Sequence, residues 1–231
     1  MKYSTVLVDI DDTILDTQRN SKEAFMEIFE SHHWNNYFES FDQFYASYTP
    51  SNIQLWSLYA QGKLQKEELI VQRFLIPLSP YFQINEQQAK ELNNELLLRV
   101  SEKTGLIEHA KEMLDYLAPN YQLVILSNGF KEVQYKKLSS AGLDGYFQHV
   151  ILSDEAGVNK PHPGIFTKAL TLANSQKTDT IMLGDSFESD ICGAKNSGID
   201  QIWFNPENNT QSEDFTPTYM VEKLEEIKNI L

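Results

Sequence analysis

The residues best suited to chemistry follow a short apolar run near the amino terminus, where carboxylates stand at alternate positions. The run begins at Val6 and leads into Asp9, and Asp11 and Thr13 follow two and four positions later. Residues two apart on a strand point the same way, so Asp9 and Asp11 are expected on one side of its carboxyl end. Two close carboxylates repel each other, so the pair indicates either a metal site or a nucleophile with an acid/base partner. The competing interpretation is an acidic turn in which Asp12 or Thr13 caps a helix.

Three further polar motifs follow predicted strands. Ser127 opens a Ser-Asn-Gly turn, Lys160 precedes a proline, and Asp185 and Asp190 lie in an acidic stretch after Gly184. Taken singly, these motifs are typical of a turn, a solvated loop and a helix start. Open α/β sheets place their ligands at the carboxyl ends of strands. Together with Asp9, the motifs would supply a nucleophile, a hydroxyl, a cation and a metal ligand, which is the set that phosphoryl transfer needs.

The elements that must position these motifs alternate between strand and helix. Apolar runs rich in β-branched residues predict strands at residues 5–10, 122–126, 149–152, 180–183 and 201–204. Helical patterns cover residues 105–118, 130–141, 163–173 and 188–197, and residues 221–231 are expected to form a closing helix. This alternation predicts an α/β fold in which helices cover both faces of a parallel sheet.

Residues 16–100 break the alternation, because the stretch is helical in period and contains no run that predicts a strand. The segment from Phe25 to Phe82 holds 14 of the 27 aromatic residues of the chain. Aromatics at this density more often fill the core of a small helical bundle than bind a ligand. We therefore expect an inserted helical module in this part of the chain.

Composition excludes several classes of partner. The chain has 231 residues and a formal net charge of -14, which argues against nucleic acids and anionic membranes as partners. Cys192 is the only cysteine, so no internal disulfide is possible and a reducing compartment is expected. The sequence contains neither a signal-peptide pattern nor an apolar run near the roughly 18 residues of a membrane span. These observations predict a cytoplasmic protein.

In order and residue type, the motifs resemble those of the haloacid dehalogenase-like superfamily of aspartate-dependent phosphohydrolases. The four motifs are matched in turn by Asp9, Asp11 and Thr13, by Ser127, by Lys160, and by Asp185 with Asp190. The resemblance covers the whole chain and implies a Rossmann-like phosphatase core that uses magnesium. Residues 1–15 and 101–231 would form this core, and residues 16–100 would form a mobile helical cap.

The resemblance also implies roles in catalysis. Asp9 is expected to take the phosphoryl group, and Asp11 to protonate the leaving oxygen and then deprotonate the attacking water. Magnesium is expected on Asp9, the Asp11 carbonyl and Asp185.

Other residues are expected to bind phosphate or to support the site. Ser127, the Asn128 backbone N–H and Lys160 would hold the phosphate. Thr13 would fix the loop, and Asp190 would orient a metal-bound water or pair with Lys160.

The helical insert narrows the expected substrate. The segment from Asn52 to Trp56, with Tyr59, Gly62 and Arg73-Phe74 and together with the stretch from Ser127 to Phe130, resembles the noncanonical pyrimidine nucleotidase group, whose members act on nucleoside monophosphates. The expected substrate is therefore a small phosphorylated molecule, a pyrimidine nucleoside 5'-monophosphate.

Several alternatives stay open at this point. They are a sugar-phosphate or other small-metabolite phosphatase, a phosphomutase, a 2-haloacid dehalogenase and a non-catalytic binding module. A dehalogenase needs neither a metal nor a proton donor, so Asp11 and Asp185 argue against it. No motif residue is missing, which argues against a non-catalytic module.

Overall fold

The computed structural model describes residues 2–210 and 215–231. The strands are β1 (Thr5–Val8), β2 (Gln122–Ser127), β3 (His149–Leu152), β4 (Thr180–Gly184), β5 (Asp200–Phe204) and β6 (Tyr219–Val221). The α-helices are α1 (Thr17–Ser31), α2 (Phe41–Ala60), α3 (Lys66–Leu78), α4 (Glu86–Ser101), α5 (Ala110–Leu117), α6 (Lys131–Ser140), α7 (Ser153–Ala156), α8 (Pro163–Ala173) and α9 (Gly193–Asn196). Short 3-10 helices cover Trp34–Asn36, Asp144–Tyr146, Lys177–Asp179 and Leu224–Asn229, and a π-helix covers Phe187–Cys192.

The strands form one parallel sheet in the order β3-β2-β1-β4-β5-β6. From β1 the chain moves outward through β2 to β3, and then it returns to the other side of β1 to form β4. Parallel α/β sheets bind ligands where the strand order reverses in this way. The predicted α/β class with a parallel sheet is confirmed, and its switch point lies at the carboxyl ends of β1 and β4.

Alternate residues of β1 pack on opposite faces of the sheet. Val6 and Val8 belong to an apolar cluster with Met113 of α5, whereas Leu7 packs in a second cluster with Phe166 of α8. A strand buried on both faces has to be apolar at every position. This burial explains why the apolar run is continuous up to Asp9, which follows a strand in the centre of the sheet.

The carboxyl-terminal region differs from the sequence prediction. The closing helix predicted over residues 221–231 is wrong, because Val221 ends β6 and a 3-10 helix covers Leu224–Asn229. The buried residues Leu224 and Ile227 lie three positions apart, a spacing that suits a 3-10 helix as well as an α-helix. The three residues of β6 are too few for a two-residue period to stand out.

The chain separates into two compact units, Met1–Asp16 with Thr104–Leu231 and Thr17–Lys103. The second unit contains α1 to α4, and its aromatic residues form a core as expected: Phe25 lies 4.3 Å from Tyr48 and Trp34 lies 4.8 Å from Phe44 between ring centroids. The division into a phosphatase core and a cap domain stays a prediction. Among the described helices, none combines the length and the hydropathy that crossing a bilayer requires.

Candidate active site

Three carboxylates meet at the carboxyl ends of the two central strands. Asp9 directly follows β1, Asp185 directly follows β4, and Asp190 lies in the π-helix beyond it. The two strands are in register, with Val8 opposite Leu183, and the Asp9 N–H donates to the Leu183 carbonyl at 3.0 Å. Each of the three carboxylates offers an oxygen within 4.8 Å of the others.

A buried lysine lies among these carboxylates. Lys160 comes from the segment between α7 and α8 and is only 2% exposed. Its Nζ lies 2.5 Å from Asp9 Oδ1 and 2.7 Å from Asp190 Oδ1, and it donates to the Leu126 carbonyl at 2.7 Å. Burial alone would lower the pKa of Lys160, but the charges of Asp190 and Asp9 outweigh burial and raise this pKa above its ordinary value. The lysine therefore stays charged.

The single positive charge of Lys160 does not neutralise the three carboxylates. Burial raises the pKa of Asp9 to about 7 even though Lys160 opposes the shift, and the charges of Asp190 and Asp11 add to it. Burial together with the charges of Asp9 and Asp190 also raises the pKa of Asp185 well above its ordinary value. Carboxylates held in this way favour either protons or a cation.

The donor set fits magnesium. All three side chains present carboxylate oxygens within reach of one another. Hard divalent cations prefer oxygen ligands, and magnesium binds proteins through one or two carboxylates together with substrate phosphates.

Thr13 ties the loop after β1 to the end of β4. Its side chain is fully buried, and its hydroxyl donates to Asp185 Oδ1 at 3.0 Å while accepting from the Asp185 N–H at 3.1 Å. Trp203 Nε1 donates to the Asp185 carbonyl at 2.9 Å. Asp185 is therefore held from both sides by hydrogen bonds.

Asp190 depends on a glycine. The Ser186 N–H donates to Asp190 Oδ2 at 3.1 Å. A Cβ placed on Gly184 would lie 2.3 Å from the same oxygen, which is too close for any non-glycine residue at this position. Gly184 thus makes room for a fully buried carboxylate at the end of a central strand.

The end of β2 contributes the hydroxyl and fixes the lysine. Ser127 is buried, and its Oγ accepts from the Gly129 N–H at 3.0 Å. The Asn128 side chain pairs with the backbone of Lys160, accepting from its N–H at 2.8 Å and donating to its carbonyl at 2.9 Å. The amide side chain of Asn128 therefore anchors the segment that carries Lys160.

Two residues of α6 contact the site although no sequence motif predicts a role for them. Gln134 Nε2 donates to Asp11 Oδ2 at 2.6 Å, and Lys137 Nζ donates to Asp11 Oδ1 at 2.7 Å. Both side chains are buried, together with Val133 and Leu138 of the same helix. The available signal was weak: both polar residues lie next to Val133 and Leu138, the two buried apolar residues of a helix that follows a motif.

Within the helical unit, the buried Arg73 contacts the segment from Asn52 to Trp56 directly and through Tyr48. Arg73 is 6% exposed and donates to Tyr48 Oη through Nε at 2.9 Å and through Nη2 at 2.5 Å. The Tyr48 hydroxyl in turn donates to Asn52 Oδ1 at 3.0 Å. The Arg73 Cζ also lies 6.0 Å from the centre of the Trp56 ring. Asn52 and Trp56 are partly exposed, so they are the members of this cluster that solvent can reach.

Comparison with known proteins agrees with this geometry. Residues 6–204 match the model of the haloacid dehalogenase-like hydrolase family. The pyrimidine 5'-nucleotidases PynA of Streptococcus pneumoniae and YjjG of Escherichia coli are each 30% identical to the chain. Both alignments cover 100% of this chain, with 98% of PynA and 99% of YjjG.

A solved structure is similar over the full length. The crystal structure of HAD-hydrolase YfnB from Bacillus subtilis, bound to magnesium, superposes with a TM-score of 0.90 at 31% identity and covers 100% of this chain and 99% of that one. The expectations of family, fold class and a phosphatase-class enzyme are thereby confirmed. A family match over most of the length, full-length relatives and a shared fold all lead to one conclusion: the chain belongs to the haloacid dehalogenase-like hydrolase family.

Proposed function

We propose that the protein is a magnesium-dependent phosphomonoester hydrolase that acts through an aspartyl-phosphate on Asp9, with pyrimidine nucleoside 5'-monophosphates as substrates. The observation that carries this proposal is the cluster of Asp9, Asp185 and Asp190 around Lys160 at the carboxyl ends of β1 and β4. A haloacid dehalogenase needs neither a metal nor a proton donor, so Asp11 and Asp185 argue against that alternative.

In the first half-reaction, a carboxylate oxygen of Asp9 attacks phosphorus while the bond to the leaving oxygen breaks. Asp11 donates a proton to that oxygen, which departs as an alcohol. Asp11 is 29% exposed in its side chain, so it can reach a substrate, whereas Asp9 is held in the floor of the site. In the second half-reaction, Asp11 takes a proton from water, the water oxygen bonds to phosphorus and the bond to Asp9 breaks.

The charges of the site are arranged for this chemistry. When bound, magnesium would neutralise the carboxylates and polarise the phosphoryl oxygens. Asp9, Asp185 and the Asp11 carbonyl are the groups proposed to hold it. Lys160 offsets the charge of Asp9 and the phosphate, and Asp190 keeps this lysine in place through their contact at 2.7 Å. Ser127 and the Asn128 backbone N–H are proposed as phosphate donors.

Support for the substrate class comes from the helical unit. Asn52 and Trp56 lie one turn apart on α2, and the buried Arg73 fixes both through Tyr48 and through its own position near the indole ring. An amide and an aromatic face are suited to hydrogen bonding and stacking with a base. Full-length relatives named pyrimidine 5'-nucleotidases add to this support.

The test is phosphate release with magnesium from uridine, deoxyuridine and thymidine 5'-monophosphates and from hexose phosphates. We expect a higher kcat/KM for the nucleotides, and we expect Trp56→Ala to lower this preference. Tyr37→Ala removes another exposed aromatic ring of the same unit and should leave the preference unchanged. Equal or better turnover of a hexose phosphate would reduce the proposal to a general small-metabolite phosphatase. Absence of phosphate release from every ester would refute it.

A further inference from the structure

The Gln134 side chain joins two residues of the proposed site. Its Nε2 donates both to Asp11 Oδ2 at 2.6 Å and to Ser127 Oγ at 2.8 Å. An amide nitrogen carries two hydrogens, so these two contacts use all of its donor capacity. The residue is fully buried, and its Oε1 has no hydrogen-bond partner among the described residues. A buried amide that leaves its oxygen unpaired is costly, which favours a functional reason for its presence.

Gly129 leaves room for the Gln134 side chain. A Cβ added to Gly129 would lie 2.0 Å from Gln134 Nε2. The Gln134 side chain passes over the glycine of the Ser-Asn-Gly turn and leaves no room there for a Cβ. The Ser-Asn-Gly turn is therefore in direct contact with a side chain of α6.

These contacts set the polarity of the Ser127 hydroxyl. Its Oγ accepts from the Gly129 N–H at 3.0 Å and from Gln134 Nε2. A hydroxyl has two acceptor sites and one hydrogen, so the hydrogen is left to be donated to a third group. A phosphate oxygen is such an acceptor.

Lys137 completes the arrangement one turn farther along α6. Its Nζ lies 2.7 Å from Asp11 Oδ1, so the two oxygens of Asp11 are held by two residues of one helix face. Lys137 is 8% exposed, whereas the adjacent Lys136 is exposed. A charged contact that is largely shielded from water holds its partner more firmly than a surface ion pair.

We propose that Gln134 and Lys137 are positioning residues of the active site, which hold the Asp11 carboxylate and orient the Ser127 hydroxyl from a single face of α6. This inference rests on the proposed phosphomonoesterase function. Proton delivery to the leaving group would then depend on Lys137, and both proton delivery and phosphate binding would depend on Gln134.

The test separates positioning from stability through the leaving group. The substrates are p-nitrophenyl phosphate, whose phenolate leaves without a proton, and the best alkyl phosphate ester of the panel above, whose alkoxide needs one. Lys137→Met should lower kcat/KM for the alkyl ester at least about tenfold more than kcat/KM for p-nitrophenyl phosphate, because general acid catalysis contributes about 10²–10⁴-fold. The ratio kcat/KM covers only the steps up to the aspartyl-phosphate, so the hydrolysis step that both substrates share does not enter it. Lys136→Met removes the same charge from an exposed position and should leave both rates unchanged. Lys137→Arg should retain most of the activity on both substrates.

Gln134→Met should likewise lower kcat/KM more for the alkyl ester than for p-nitrophenyl phosphate. It should also weaken inhibition by inorganic phosphate, since Ser127 loses a partner that orients its hydrogen. If Lys137→Met does not fold, Lys137→Gln serves instead, because it keeps a hydrogen-bond donor but removes the charge. This variant should show a smaller difference between the losses on the two substrates. Equal losses of kcat/KM on the two substrates in a folded variant would overturn the inference while the proposed function stands. A wild-type protein that hydrolyses neither substrate would instead refute the proposed function, and the inference with it.

Discussion

The Asp9→Asn substitution tests the nucleophile and the electrostatics of the site together. The change is nearly isosteric, so it removes one buried charge without creating a cavity. An amide cannot form the aspartyl-phosphate, so we expect turnover to fall by at least about 10³-fold. In the absence of divalent cations, the same variant should be more stable than the wild type at alkaline pH.

The size of the stability gain follows from the pKa of Asp9. Burial raises this pKa from 3.8 to about 7 in the folded protein. Because the folded pKa is the higher one, the contribution of Asp9 to stability is fully present below pH 3.8 and is lost as the pH rises through about 7. The difference of about 3 pKa units corresponds to about 4 kcal/mol at pH 8. This is an upper limit, because Asp185 and Asp190 compete for the same proton. At pH 5 the same reasoning leaves less than about 2 kcal/mol.

The assay is thermal unfolding of both proteins in a chelator at pH 8 and pH 5. For a protein of this length, 1 kcal/mol corresponds to roughly 2–4 °C in Tm, so a gain of several degrees is expected at pH 8 and a smaller gain at pH 5. Asp12→Asn is the matched control, because Asp12 is a partly exposed carboxylate of the same loop with a φ of 61°, a conformation that asparagine adopts readily. Its Tm should change little.

Two results would refute this reasoning. Substantial activity in a folded Asp9→Asn variant would falsify the assignment of the nucleophile. An equal rise in Tm for Asp12→Asn, or a gain that does not grow with pH, would show that burial of Asp9 is not the source of the electrostatic cost.

Three further predictions concern the metal, the lysine and the glycine beneath the cluster. Chelation should abolish activity and magnesium should restore it, whereas calcium should restore it poorly. The magnesium affinity, measured by calorimetry, should fall about tenfold for each pH unit below about 7, because protons compete with the metal for Asp9. Lys160→Met should lower the free energy of unfolding of the metal-free protein by about 3–5 kcal/mol in chemical denaturation, because two buried carboxylates lose their cation. A free energy of unfolding equal to that of the wild type would contradict the ion-pair geometry. Gly184→Ala should cost about 1–3 kcal/mol and lower kcat, whereas Gly145→Ala, where a Cβ meets nothing within 4 Å, should be neutral in both measurements.

Local patterns of apolar and polar residues predict the order of strands and helices in the core. Buried parallel strands are short and continuously apolar, and each ends at a polar motif, so β1, β2 and β4 could be located within one or two residues. The chemistry of Asp9, Lys160 and Asp185 was likewise suggested by residue type and by position after a strand. These features are local along the chain, which is why one sequence was enough to predict them.

The tertiary structure alone decided which side chains meet. Sheet order places β1 between β2 and β4, and this order brings Lys160 within 2.5 Å of Asp9 across 151 positions of sequence. No local pattern carries such a contact. The same holds for Gln134 and Lys137, whose partner Asp11 lies more than a hundred residues away. The sequence predicts only that these two residues lie in a helix over residues 130–141. Their significance depends on their contacts with Asp11 in the loop after β1, and only the packing of the core brings α6 to that loop.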